Sequence, residues 1–235
     1  MFERLRLLWA SDATLKEQYD EFGRMLAMGH DLYGKVIDLA RAGRGWDEAE
    51  ASIYRADVAI NKAERRIRRR IVTHLAMNPG QDVAGCLVLM SVGKDAERVG
   101  DHCKNAFEAS RLWNRPLSDF SAAAAIEEFE RYVRETFDNA RQAFEKEDET
   151  LAAEVIHDEV RWNRRFDEFV VKLSEMDITA QEAVTATLLV RSLKRIQAHL
   201  SNIASSVILP VHRIDHRPKH LRDRKNKPVK AGKKE

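Results

Sequence analysis

Two carboxylates set four residues apart, Glu97 and Asp101, are the side chains of this sequence best spaced for chemistry. On a helix an i, i+4 pair shares one face. Left alone, two like charges cost a helix about a few tenths of a kcal/mol, and a cation between them reverses that sign. Oxygen donors of this kind suit hard or borderline metals such as Mg, Mn or Fe. Upstream, Asp57, Asn61 and Glu64 recur at i, i+4, i+7. If the two segments are antiparallel neighbours, two acid-bearing lines converge on the outside of a bundle. Helix geometry of about 100° per residue sets Glu97 and Asp101 roughly opposite the apolar seam of their own helix, which predicts a solvated acidic face. By the same arithmetic His102 points away from Asp101 and is a poor partner for that site.

The stretch from Asp95 to Asn105 returns in degraded form between Leu193 and Asn202. One register aligns Arg98 with Arg195, Val99 with Ile196, His102 with His199 and Asn105 with Asn202. In the same register Glu97 and Asp101 fall opposite Lys194 and Ala198. Two helices of matching design, about a hundred residues apart, indicate a duplicated architecture. The copies can share a packing role but not a carboxylate site.

The elements that position these residues follow from periodicity. Pro and Gly punctuate the chain at Gly43, Gly45, Pro79, Gly80, Pro116 and Pro210, and long helical patterns run between them. Helices are predicted over 12–42, 46–77, 81–113, 118–145, 148–174 and 179–208. Ser11 and Ser118 are the expected N-caps of the first and fourth, and Thr179 with Glu182 fits a capping box. A short helical turn is expected over 2–9. The second helix sets Ile53, Ile60, Ile67 and Ile71 on one stripe, the third Val92, Ala96, Val99 and Cys103, and the sixth Leu189, Leu193, Ile196 and Leu200. Such seams pack at shallow angles, and short connections make neighbours antiparallel. Phe120, Phe129, Tyr132, Phe137, Trp162, Phe166 and Phe169 are expected mostly in the core. The prediction is an all-α fold of six long helices in two tandem three-helix bundles. Its units are a short N-terminal segment 1–11, a first repeat 12–115, a second repeat 116–209 and a basic, disordered tail 210–235.

Composition narrows the function classes. Of the 235 residues 33% are charged, with no apolar run near the roughly 20 residues of a membrane span. Cys86 and Cys103 lie on one predicted helix about 25 Å apart and cannot bridge. Free thiols and the absence of an export signal in the first residues lead to the expectation of a reducing cytoplasm. From Arg213 onward the chain has ten Lys/Arg against three Asp/Glu, so a mildly acidic body trails a basic tail. That tail, with the arginines between Arg65 and Arg70, raises nucleic-acid binding as the alternative function. The tail lacks aromatics for stacking, and the arginines read as a solvated face, so this reading ranks second. Enzymatic activity is not expected: there is no Gly-rich phosphate loop and no nucleophile motif.

The pattern Asp57-x-x-x-Asn61-x-x-Glu64, followed by Glu97-Arg98-Val99-Gly100-Asp101-His102, resembles the PhoU family of phosphate-uptake regulators. The likeness runs over 12–208. It implies a tandem three-helix fold and a non-enzymatic cytoplasmic regulator. Implied partners are a phosphate transporter component, a phosphate-sensing histidine kinase, or both, with membrane association only through them and a homodimer left open. The family's metal motif maps onto Glu97 and Asp101, with Asp57 as the acid of the preceding helix. It implies a divalent or iron-type metal at one site. Lys194 and Ala198 depart from that motif, so the second repeat cannot supply its own.

Overall fold

The computed structural model describes residues 13–214. The expected turn over 2–9, the Ser11 cap and most of the basic tail lie outside that range. Six helices are present: α1 (Ala13–Ala42), α2 (Trp46–Met77), α3 (Val83–Trp113), α4 (Ala123–Lys146), α5 (Glu149–Glu175) and α6 (Ala180–Ile208). Short 3₁₀ turns occupy Leu117–Asp119 and Val211–Arg213, and there is no strand among the described residues.

Helix ends follow local chemistry. α1 stops at Gly43, whose φ of +64° is open to a residue without Cβ. A Cβ there would also lie 2.1 Å from the backbone nitrogen of Pro116, so the inter-repeat linker passes directly over this turn. Asp148 caps α5 by accepting from the Leu151 amide at 2.9 Å. Thr179 caps α6 by accepting from the Glu182 amide at 3.2 Å. The expected reciprocal half of that box is absent. The Glu182 carboxylate instead accepts from the Ser121 amide at 2.5 Å, tying α6 to the α3–α4 connection. Ser118 is not the cap of α4. It sits in the first 3₁₀ turn, and α4 begins five residues later than predicted. Phe120 explains the delay, because its ring stacks on Trp113 at 4.3 Å and holds this segment off a helical path.

Helices α1–α3 form one bundle and α4–α6 a second, and the most extensive helix contact in the molecule is between α3 and α6. α1 adds a smaller contact with α4, through Phe22 against Phe144 and Tyr33 against Phe137. One continuous apolar cluster spans both bundles. All seven aromatics expected in the core are buried. At the α1–α4 contact, Glu130 is 1% exposed and held by Arg41 at 2.5 Å and Arg134 at 2.9 Å. A buried carboxylate between two guanidinium groups satisfies its charge where water cannot.

Candidate functional site

The three acids singled out by spacing lie along the α2–α3 groove. They are not on a free solvated face, as the helix arithmetic had them. Asp57 is 5% exposed and Glu64 8%. Glu97 and Asp101 are half-buried. The helical wheel gave the right direction for each side chain but could not see that α2 packs close enough to cover it. Gly100 permits that approach: a Cβ there would meet the Ile60 side chain at 3.1 Å.

Each acid faces a cation from α3. The Lys104 ammonium donates to Asp57 at 3.0 Å and lies 3.8 Å from Asp101. The Arg98 guanidinium bonds Asp101 at 3.2 Å, and Lys94 bonds Glu97 at 2.7 Å. Burial by itself would lower the Lys104 pKa. The hydrogen bond to Asp57 and the charges of Asp57, Asp101 and Glu108 outweigh it and hold the ammonium above its ordinary value. Lys104 is therefore a fixed positive charge between two of the proposed ligands. Among the described residues no group of three or more His, Cys, Asp or Glu side chains is gathered closely enough to hold a metal ion.

The second repeat answers residue by residue. Extending the α3–α6 register puts Ser201 opposite Lys104. Ser201 donates to Glu159 of α5 at 3.1 Å, and Glu159, 3% exposed, also accepts from Asn163 at 2.8 Å. A buried acid on the middle helix, bonded to the third helix, thus occurs in both bundles. In the first the donor is an ammonium and in the second a hydroxyl. Lys194, which replaces Glu97, pairs with Asp167 at 2.5 Å.

Spacing missed the polar cluster at the centre of the molecule. Asp95, 6% exposed, contacts His199 Nδ1 at 2.8 Å and accepts from Asn202 at 2.9 Å, joining α3 to α6. His102 stacks on His199, its own counterpart, with ring centroids 5.7 Å apart. The pseudo-symmetry of the duplication passes between these two rings. Burial, the neighbouring His199 and Arg195 push the His102 pKa down to about 4, despite the opposing charge of Asp101. The aligned His and Asn pairs were the available signal, since matched polar residues on two packed helices mark a shared seam.

Three of the five arginines that raised nucleic-acid binding are paired within the chain. Arg66 bonds Glu21 at 2.5 Å, Arg68 pairs with Glu64, and Arg70 lies 3.6 Å from Glu17. Cys86 and Cys103 are free and buried, and burial raises the Cys103 thiol far above its usual range.

The duplicated arrangement matches known proteins. A family model described as the PhoU domain fits residues 22–109 and again 126–207. The phosphate-specific transport system accessory protein PhoU homolog of Deinococcus radiodurans is 30% identical over 103 residues. That alignment covers 44% of this chain and 47% of the relative, so the chain matches about half of that protein's length. Two crystal structures share the fold. The phosphate transport system regulatory protein PhoU from Streptococcus pneumoniae has a TM-score of 0.72 at 16% identity, covering 83% of this chain and 93% of that one. PhoU from Pseudomonas aeruginosa gives 0.73 at 22%, covering 83% and 96%. Two matched domains, two bundles in one register and a buried acid repeated in each lead to one assignment: the chain belongs to the PhoU family.

Proposed function

We propose that this protein is a non-enzymatic, cytoplasmic regulator of phosphate uptake that docks to a phosphate transporter component, a phosphate-sensing histidine kinase, or both. The observation that carries this reading is the PhoU domain, matched twice across the helical body. The helix faces of such a body offer grooves to a partner, and binding shifts the partner's equilibrium only through unequal affinity for its states. No described helix is long and apolar enough to cross a membrane, which agrees with recruitment through a partner. Deletion of the gene in its source cell, followed by measurement of phosphate uptake and phosphate-starvation transcripts, tests the proposal. Derepressed transcripts or altered uptake are expected, and unchanged behaviour on both counts would overturn it.

We infer further that Lys104, rather than a metal, is the resident cation of the Asp57, Glu97 and Asp101 cluster. Its ammonium already sits within 4 Å of two of the three carboxylates, and a dication beside it would meet direct repulsion. Elemental analysis of protein purified without chelator is expected to find well under one equivalent of any metal. A stoichiometric metal lost on combined Glu97→Ala and Asp101→Ala substitution would reverse the inference.

A further inference from the structure

The seam between α3 and α6 is symmetric in its histidines and asymmetric in its acid. On one side Asp95 satisfies His199 and Asn202. On that side too the chain's own C-terminal turn, Val211–Arg213, packs on α3, and Ile214 is buried. On the other side the register puts His102 and Asn105 opposite Ser192. The Ser192 hydroxyl turns back to the Leu188 carbonyl at 2.9 Å and offers nothing to the imidazole or the amide. An open groove of about 480 Å³ runs past His102, Asn105 and Ser192 on this second side.

The groove walls carry a second asymmetry. Arg191 and Arg195 line the groove and are exposed, and neither makes an ion pair or a side-chain hydrogen bond among the described residues. At one end Leu112 and Leu188 line the same groove while 50% and 47% exposed. Glu108 is also in the wall, but its carboxylate is engaged by the Tyr54 hydroxyl at 2.7 Å. Two unpaired guanidinium groups, a His102–Asn105 contact of 3.5 Å with no acid among the described residues bonded to it, and an apolar end describe a recognition site for a peptide with an acidic and an aliphatic side chain.

We propose that this groove docks an acidic, leucine-bearing segment of a partner protein, whose carboxylate takes beside His102 and Asn105 the place that Asp95 holds beside His199 and Asn202. The register of the duplication sets Asp95 in one copy against Ser192 in the other, so the seam carries an acid on one side only. The proposal rests on the docking reading above. It is tested on the purified protein alone, so it can fail while phosphate regulation stands, and the reverse.

The test is fluorescence anisotropy with a fluorescein-labelled peptide carrying Glu and Leu at helical spacing, beside its Gln isostere. The Glu peptide is expected to bind about 10-fold more tightly than the Gln peptide, since charge-assisted bonds are the stronger ones. Combined Arg191→Ala and Arg195→Ala substitution should weaken the Glu peptide by about 10-fold or more. Ser192→Asp, which installs the missing carboxylate, should abolish binding while circular dichroism and melting stay those of a folded protein. If Ser192→Asp does not fold, the arginine variant still decides, because both arginines are exposed. Equal binding of the two peptides, or an arginine variant that binds like the parent, would overturn the proposal. So would complete displacement of the Glu peptide by inorganic phosphate at about its own concentration, which would assign the groove to small oxyanions.

Discussion

The two bundles use one packing scheme with different electrostatics. Each buries an acid on its middle helix and bonds it to its third helix. In the first bundle the partner of Asp57 is the ammonium of Lys104, and in the second the partner of Glu159 is the hydroxyl of Ser201. The central seam repeats the contrast, with Asp95 on one side of the stacked histidines and Ser192 on the other. Backbone geometry is therefore what the two copies share, and charge is what separates them. A helix seam needs only apolar volume and register, whereas a buried ion needs a specific partner.

The largest effect should come from the seam acid. Asp95→Ala removes the partner of two part-buried groups, His199 and Asn202, and is expected to cost about 2 kcal/mol in urea denaturation. Its counterpart Ser192→Ala, which breaks only a bond within its own helix, should cost less than about 1 kcal/mol. Equal costs would mean that the two sides of the seam are not energetically different.

Next is the lysine. Lys104→Ser, which copies the second repeat, leaves Asp57 buried without its cation and should cost about 2 kcal/mol. The reciprocal Ser201→Ala should cost about 1 kcal/mol. The same Lys104→Ser protein should gain measurable Mn²⁺ affinity by electron paramagnetic resonance, since Asp57 then loses its cation and Asp101 keeps only Arg98. No gain would show that these acids are too far apart to chelate, whatever lies between them.

The histidine pair gives a pH test. His102 has a folded pKa of about 4 against an ordinary value of 6.5. Between those values the unfolded chain binds the proton more tightly, so stability is complete above about pH 6.5 and falls as the pH drops toward 4. Because His102 is half-buried, solvent screening reduces the effect to about 1–2 kcal/mol. Urea midpoints at pH 7 and pH 5 measure it, and His102→Gln should flatten the dependence.

The smallest effect belongs to the surface. Lys194 pairs with an exposed Asp167, and Lys194→Ala should cost no more than about 0.5 kcal/mol, less as salt is raised. A larger loss would mean that the Lys194–Asp167 pair is more than a solvent-screened surface contact.

Much of this was legible along the chain. The stripes at Ile53, Ile60 and Ile67 and at Val92, Val99 and Cys103 placed α2 and α3 almost to the residue. The helical wheel put Glu97 and Asp101 on a solvated face because a wheel gives direction without distance to the neighbouring helix. Ser118 failed as a cap because the stacking of Phe120 on Trp113 outweighs a local hydroxyl. The role of Asp95 was hidden although its partners His199 and Asn202 were aligned.

The amino-acid order alone determined the six helices, the internal duplication and the family to which the chain belongs, since each is written in spacing along a single strand. Which acid meets a cation, which meets a hydroxyl and which face of the seam stays open were decided only on folding. Lys104 lies 47 residues from Asp57, and His199 lies 104 from Asp95. Periodicity tells a side chain which way to point, but its charge partner comes from another helix, and only packing brings the two within hydrogen-bond reach.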